Sequence, residues 1–150
     1  MARSPKLRLR PYQAGDEDAF ELRGDFAEER AATAWDWSKG PPGPTWTLTR
    51  WDEAVLGVAG AVDHGDDVWR VWAQLADLPK RDWSQALWLA GRVLTYLETQ
   101  RGATVIEAEA RAANPAAIAS LRRLGFSLGR GDPVPHQVAG VHYVALVRRA

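Results

Sequence analysis

Two glutamates that lie two residues apart, Glu107 and Glu109, are well placed in the sequence for proton transfer. Apolar and polar residues alternate over residues 103–110, which predicts a strand with both carboxylates on one face. Two like charges held that close favour uptake of a proton by one of them, as a general base requires. Two solvated carboxylates on a strand are an equally good interpretation.

Other reactive residue types are scarce. The chain has 150 residues and no cysteine, so it contains no disulfide, thiolate nucleophile or cysteine metal site. The acidic segment 63–67 holds three aspartates and His64, but it lacks the ligand spacing of a calcium-binding loop. We predict a solvated turn there and no metal site.

The segment after Glu109 has the signals of a helix at both ends. Asn114 is a candidate N-cap, and Pro115 follows at the first helical position, where its missing N–H costs nothing. Gly125 ends the pattern where a left-handed residue is wanted. The apolar residues between them recur at helical spacing, namely Ala117, Ile118, Leu121 and Leu124. The sequence therefore predicts strand, turn, helix and strand, with Phe126 opening the last.

The rest of the chain alternates strand and helix patterns. Further strands are predicted at 6–12, 45–51, 54–62, 68–76 and 141–147. A long helix is predicted from about residue 83 to 100 because the following apolar residues repeat every three or four positions: Trp83, Leu87, Ala90, Leu94 and Leu97. Asp16 is a candidate N-cap for a helix or helix pair reaching about Trp37, and Gly57 indicates a bulge or close packing.

The segment 38–45 is rich in proline and glycine and predicts a loop. Trp35, Trp37 and Trp46 flank this loop. They can form an aromatic wall for a substrate or pack into the core, and we favour packing because buried aromatic residues mostly serve that purpose.

Composition limits the partners. Lys plus Arg and Asp plus Glu are 19 each, so net charge gives no reason to expect a nucleic-acid partner. No stretch approaches the roughly 20 apolar residues that cross a bilayer, and no signal peptide is recognisable at the start. We expect a cytoplasmic protein with one domain over residues 1–150.

The region around Glu109 resembles the last part of the core of the GNAT N-acetyltransferase superfamily. Many members read strand–Glu–Val–Arg–x–x–Asn–x–x–Ala–Ile–x–x–Tyr–x–x–x–Gly–Phe, and the matching residues here are Glu109, Ala110, Arg111, Asn114, Ala117, Ile118, Gly125 and Phe126. The order of predicted elements is similar along nearly the whole chain. The resemblance implies a mixed α/β (α+β) GNAT-type fold with a central, mostly antiparallel sheet flanked by helices.

The same resemblance implies acetyl-CoA-dependent N-acetyl transfer to a small-molecule or protein amine, without a metal. Glu109 stands at the position that serves as the base in some relatives. Leu121 replaces the usual tyrosine acid, which leaves Tyr143, or Tyr96, as the spare proton donor. We take Glu109 and Tyr143 as the candidate catalytic residues.

The cofactor site implied by the resemblance comprises the end of the fourth strand and the start of the following helix. Its candidate residues are Leu75, Asp77, Leu78, Lys80, Arg81, Trp83, Ser84, Gln85 and Asn114. Where the family has a glycine-rich phosphate loop, this chain reads PKRDWSQALWLA. Asp82 and Gln85 have the spacing of a capping box, which would occupy the amides that a phosphate needs, and Trp83 adds bulk. We therefore expect acetyl-CoA binding to be weak or absent.

These departures keep a second function open. The chain can instead be a catalytically inactive GNAT-like domain that serves as a binding or structural component, such as a phage-encoded or virion-associated one. Its partner would then be an assembly protein, and its location the virion. Binding of another acyl-CoA or a different ligand in the same cleft is a third interpretation.

Overall fold

The computed structural model describes residues 6–24, 26–27, 30, 35–128, 136–138 and 141–150. Its strands are β1 (Leu7–Pro11), β2 (Thr45–Arg50), β3 (Val55–Asp63), β4 (Val68–Leu75), β5 (Val105–Arg111), β6 (Ser127–Leu128), β7 (His136–Val138) and β8 (Val141–Arg149). The α-helices with described bounds are α1 (Lys80–Gln100) and α2 (Pro115–Arg123). Short 3-10 helices cover Asp16–Asp18 and Trp37–Lys39.

The strands are hydrogen-bonded in the order β1-β2-β3-β4-β5-β8-β6, and β7 also pairs with β8. Of the pairings whose register is described, β4 with β5 is parallel and the others are antiparallel. The predicted mixed α+β fold with a mostly antiparallel sheet is confirmed. The strands predicted from alternation begin and end within two residues of those observed.

The chain divides into two compact units, which we describe separately. The first contains Met1–Ala61 and Ala73–Leu89, and the second contains Val62–Trp72 and Ala90–Ala150. β3, β4 and α1 each contribute residues to both units.

The core of the first unit is a cluster of leucines. Leu7, Leu48, Leu56 and Leu75 are buried together, and partly buried residues pack against them, including Trp83, Ala86 and Leu89 of α1. The helical spacing of these three residues turns one side of α1 towards the cluster. Removal of this apolar surface from water is the main force that holds the helix here.

Gly57 of β3 is required by the close approach of β4. A Cβ atom at this position would lie 2.5 Å from Cδ2 of Leu75 and 2.7 Å from the carbonyl oxygen of Gln74. The β2–β3 register also shifts here, because Leu48 is paired with Gly57 but Thr49 with Val55. Both alternatives expected from the glycine, a bulge and close packing, are therefore present.

In the second unit, α2 begins and ends as predicted. Oδ1 of Asn114 accepts from the N–H of Ala117 at 3.1 Å, and Pro115 is the first helical residue. Gly125 has φ +86°, and the N–H groups of Gly125 and Phe126 donate to the carbonyls of Arg122 and Leu121. This is the Schellman pattern of a helix that ends at a left-handed residue.

Arg148 of β8 connects three elements of the second unit. Its guanidinium pairs with Oε1 of Glu98, near the end of α1, at 2.8 Å. Its Nη1 donates to the carbonyl oxygen of Leu124, just after α2, at 2.8 Å. One side chain thereby satisfies an unpaired helix-terminal carbonyl and a carboxylate.

Two local predictions are wrong, and one strand was not predicted. α1 begins at Lys80 rather than near Trp83. The strand that was not predicted is β7, whose three residues are too few to show an alternating pattern. Asp16 is not an N-cap: it lies within a 3-10 helix that is preceded by Gly15 at φ +96°. For the helix expected to reach Trp37, residues Gly24, Phe26, Ala27 and Arg30 are helical, and residues 31–34 lie outside the described part.

The buried carboxylate of Asp16 is held by four donors. Its oxygens accept from Nη1 and Nη2 of Arg10 at 2.7 and 2.9 Å. They also accept from Oγ1 of Thr47 at 2.6 Å and from the N–H of Gln13 at 2.9 Å. The hydrogen bonds from Arg10, followed by the smaller contributions of the other donors, lower the pKa of Asp16 from 3.8 to about 2.

Gly57→Ala should destabilise the protein by about 1–3 kcal/mol, because the new methyl group meets the β4 backbone as well as a side chain. Gly91→Ala is the matched control: its Cβ has only ordinary contact, with Leu124 at 3.8 Å. This helical substitution should stabilise by about 0.5–1 kcal/mol. Urea unfolding of both variants measures the difference, and equal midpoints would show that β3 and β4 are not packed this closely.

Asp16 should also make stability depend on pH. Because its pKa is lower in the folded chain, its contribution of about 2 kcal/mol is present above pH 4 and is lost as the pH falls towards 2. Asp16→Asn should lower stability at neutral pH and flatten the profile between these values. Asp18→Asn is the control, since the Asp18 side chain is 82% exposed. The assignment fails if the urea midpoints of parent and Asp16→Asn fall in parallel below pH 4.

Candidate active site

Glu107, Glu109 and Arg111 lie on one face of β5, between residues that point into the core of the second unit. Ile106, Ala108 and Ala110 are buried, whereas the other three are half-buried. Across the antiparallel pairing, Glu109 faces Ala145 and Arg111 faces Tyr143. Since directly opposed residues share a face of the sheet, Glu109 and Tyr143 lie on the same face of neighbouring strands.

The parallel pairing between β4 and β5 is short. It joins Val68, Trp69 and Arg70 to Val105, Ile106 and Glu107. Within the second unit β4 continues through Trp72 and β5 through Arg111, without a further pair between them. Glu109 therefore lies two residues beyond the last β5 residue that pairs with β4. At this point the described pairing of β5 is with β8 only.

Arg70 of β4 connects the two candidate carboxylates. Its Nη2 lies 2.6 Å from Oε1 of Glu109, and its Nε lies 4.0 Å from Oε2 of Glu107. The side chains of Arg70, Glu107 and Glu109 are 41%, 36% and 20% exposed. Glu109 is thus an ion-paired and mostly covered carboxylate rather than the solvated one that the sequence left open.

The two candidate tyrosines differ in burial. Tyr143 is 3% exposed and Tyr96 is 38% exposed. The register between β5 and β8 places Tyr143, and not Tyr96, on the same face of the sheet as Glu109. Leu121, at the position of the family tyrosine, lies on α2 and has no group that can donate a proton.

The start of α1 differs from the predicted capping box. Asp82 is 1% exposed, and its Oδ2 pairs with Nη1 of Arg50 at 2.7 Å. Oε1 of Gln85 accepts from the N–H of Leu7 at 2.8 Å. The helix is one turn longer than expected, so Asp82 falls in its first turn and Pro79 provides the first carbonyl, which accepts from Trp83. The prediction of a capping box is wrong, because the side chains of Asp82 and Gln85 bond to Arg50 and Leu7 instead of to the backbone at the start of the helix.

Trp83 likewise packs against the protein. It is partly buried against the leucine cluster, and Cζ of Arg23 lies 5.6 Å from its ring centre. The exposed residues of the first turn are Lys80 and Arg81, followed by Ser84. The start of α1 therefore exposes two positive charges. Asp82 and Trp83, which were expected to obstruct a phosphate at this point, are instead turned into the protein.

The end of β4 is partly occupied by the chain itself. The carbonyl oxygen of Leu75 accepts from the N–H of Arg23 at 3.0 Å, and the N–H of Ala76 donates to Leu56. Next to this point is an open cavity of about 560 Å³ within the first unit. Its lining includes one predicted cofactor residue, Asp77, with Phe20, Glu21, Leu22, Arg23, Gly24, Val55 and Ala76. Leu78 is partly buried against the leucine cluster.

The residues of this region fit acetyl-CoA in part. Lys80 and Arg81 at the N-terminus of a 21-residue helix suit an anion, because the helix dipole and the cations act together. The carbonyl of Leu75 is already paired, so this atom does not provide a free strand edge. Asn114 caps α2, as expected from its position in the motif.

The tryptophans beside the predicted loop are not core residues. Trp35 is 44% exposed, and its Nε1 donates to the carbonyl of Gly40 at 3.0 Å. Trp37 and Trp46 are half-buried, and the Trp37 ring centre lies 6.0 Å from that of Tyr12. The preference for core packing is therefore wrong for Trp35.

Arg70 is the site residue that sequence reasoning missed. Its position in an alternating strand was visible, but its partner depends on the β4–β5 register, which a single sequence does not contain. In the described part of the chain, no three histidine, aspartate or glutamate side chains are grouped to hold a metal ion. The helices of that same part include none long and apolar enough to cross a membrane.

The chain has the fold of the GNAT N-acyltransferases. Its solved neighbours include forms of the spermidine N-acetyltransferase SpeG from Vibrio cholerae. A chimera with hSSAT superposes with a TM-score of 0.68 at 16% identity, covering 96% of this chain and 95% of that one. The dodecameric form in an intermediate state gives 0.66 at 14%, with 96% and 94% coverage. The complex with manganese ions gives 0.66 at 14%, with 96% and 92% coverage.

These similarities concern the fold. No protein-family model matches the chain, and no curated protein matches it.

Asp82→Asn should destabilise the protein by about 1–3 kcal/mol, because it removes the charge that pairs with Arg50 in a covered site. Asp77→Asn is the matched control, as Asp77 is exposed and should change stability by less than about 0.5 kcal/mol. Thermal or urea unfolding measures both. A melting point of Asp82→Asn equal to that of Asp77→Asn would contradict the burial of this ion pair.

Proposed function

We propose that this chain is a single-domain, acetyl-CoA-dependent N-acetyltransferase of a small-molecule or protein amine. The observation that carries the proposal is the position of Glu109, paired with Arg70 just past the end of the β4–β5 ladder and on the same face as Tyr143. The fold supports it, because the solved neighbours named above are spermidine N-acetyltransferases.

Each residue has a distinct role in this proposal. Acetyl-CoA supplies, when bound, an acetyl group activated as a thioester. Lys80 and Arg81 bind phosphate through charge at the start of α1, and Ser84 adds a hydroxyl donor. Glu109 accepts the proton that the attacking amine must lose, and the Tyr143 hydroxyl donates a proton to the leaving sulfur. No metal takes part in the proposal.

The acceptor is an amine that carries positive charge before it reacts. The same face of the sheet holds two carboxylates, Glu107 and Glu109, and two arginines, Arg70 and Arg111, so an ammonium is attracted by the Glu109 carboxylate and not by a net charge. Spermidine is the first acceptor to test, because the solved neighbours named above are spermidine N-acetyltransferases. A lysine-containing peptide tests the protein amine.

A second candidate is a GNAT-like domain without catalysis that binds a protein partner, in a virion or elsewhere. Two observations favour it: Arg23 already occupies the carbonyl of Leu75, and Leu121 stands at the tyrosine position of the motif. An active enzyme would place the chain in the cytoplasm, where acetyl-CoA is available.

Two measurements separate these functions. Calorimetric titration with acetyl-CoA and with coenzyme A tests the cofactor, and thiol release with spermidine and a lysine peptide tests transfer. The enzyme should bind both cofactor forms and release thiol only when an amine is present. An absence of binding at millimolar cofactor, with the protein folded by circular dichroism, would support the inactive domain.

Glu109→Gln should lower kcat by about 10²–10⁴-fold, because the amide keeps the shape of the carboxylate but cannot accept the proton. Tyr143→Phe should lower kcat too, through loss of the proton donor. Glu53→Gln, a change at an exposed turn, is the control and should leave kcat unchanged. Brisk turnover by Glu109→Gln would remove Glu109 from the role of base and leave the fold assignment intact.

A further inference from the structure

Arg70 makes a direct ion pair with the proposed base. We propose that Arg70 is a positioning residue that holds the Glu109 carboxylate in reach of the acceptor amine, an inference that rests on the proposed function. The observation behind it is a geometric one: a single guanidinium lies 2.6 Å from Glu109 and 4.0 Å from Glu107 at the end of the β4–β5 ladder.

Glu109 needs such support because of its place on β5. Its strand is paired with β8 along its length, but the pairing with β4 stops at Glu107. A glutamate side chain has several rotatable bonds, and a base must stay within hydrogen-bond distance of the proton that it takes. Arg70 is the last residue of β4 that pairs with β5. Its side chain reaches past the end of this pairing and restricts the side chain of Glu109.

Glu107 shares the guanidinium, and this matters for the charge of the site. Arg70 lies between the two carboxylates and Arg111 is a second arginine on the same face of β5, so two positive charges match two negative ones and an ammonium is attracted by the Glu109 carboxylate itself. Nε of Arg70 is covered and lacks a hydrogen-bond partner among the described residues, and it lies 4.0 Å from Oε2 of Glu107, beyond hydrogen-bond distance. Arg70 therefore makes a close ion pair with Glu109 and only a distant one with Glu107.

The chemical step leaves Arg70 unchanged. The N–H bond of the acceptor ammonium breaks, its proton passes to a carboxylate oxygen of Glu109, and the nitrogen lone pair becomes free to attack. The guanidinium keeps its proton throughout, as arginine does in proteins. Its contribution is the placement of Glu109, and its loss should appear in kcat more than in KM.

A double-mutant cycle tests this role in the full chain, with acetyl-CoA and spermidine or the lysine peptide as substrates. Arg70→Gln alone should lower kcat at least about tenfold with little change in KM. In the Glu109→Gln background the same change should alter kcat by less than about twofold, because the residue through which Arg70 acts is already disabled. Arg70→Lys should restore part of the activity.

Arg148→Gln is the matched control, since Arg148 is another ion-paired arginine of the same unit, bonded to Glu98. Its kcat should equal that of the parent even if its melting point falls. Additive effects of Arg70→Gln and Glu109→Gln would overturn the positioning role and leave the proposed function standing. A parent protein that binds no acetyl-CoA and acetylates no amine would overturn both.

Discussion

The short parallel pairing between β4 and β5 is the constraint on which the candidate site depends. Parallel neighbours cannot be joined by a tight turn, so the chain connects them through the 21 residues of α1. β5 is then fixed by seven paired residues of β8 but by only three of β4. The core face of β5 stays buried, while its polar face loses its β4 neighbour after Glu107. A carboxylate at Glu109 is consequently held by the sheet and still accessible from one side.

At the start of α1, the positively charged residues are exposed and the negatively charged one is buried. Lys80 and Arg81 are exposed, whereas Asp82, the acidic residue of the same turn, is covered and paired with Arg50. The negative charge is thus neutralised inside the first unit, and the two positive charges face solvent. A helix terminus of this kind can attract an anion even though its sequence lacks the glycines of a phosphate loop.

Local signals made much of the fold predictable. Most of the strands follow from their pattern of apolar residues, and α2 follows from Asn114, Pro115 and Gly125, whose effects act within one turn of the helix. The capping box failed because its members bond to partners 32 and 78 positions away in sequence. The pairing of Arg70 with Glu109 was missed for the same reason, since strand register decides it. Residue types could therefore indicate Glu109, but not what holds it.

The bond from Leu7 to Gln85 has a further consequence, for association between copies of the chain. Among the described strands β1 lies at one end of the sheet, and an edge strand with free amides can pair with the edge of another molecule. Here a side-chain oxygen from α1 takes the Leu7 amide, and Pro11 at the other end of the strand has no N–H to offer. The helix thus acts as a substitute neighbour, and β1 is a poor template for edge-to-edge aggregation.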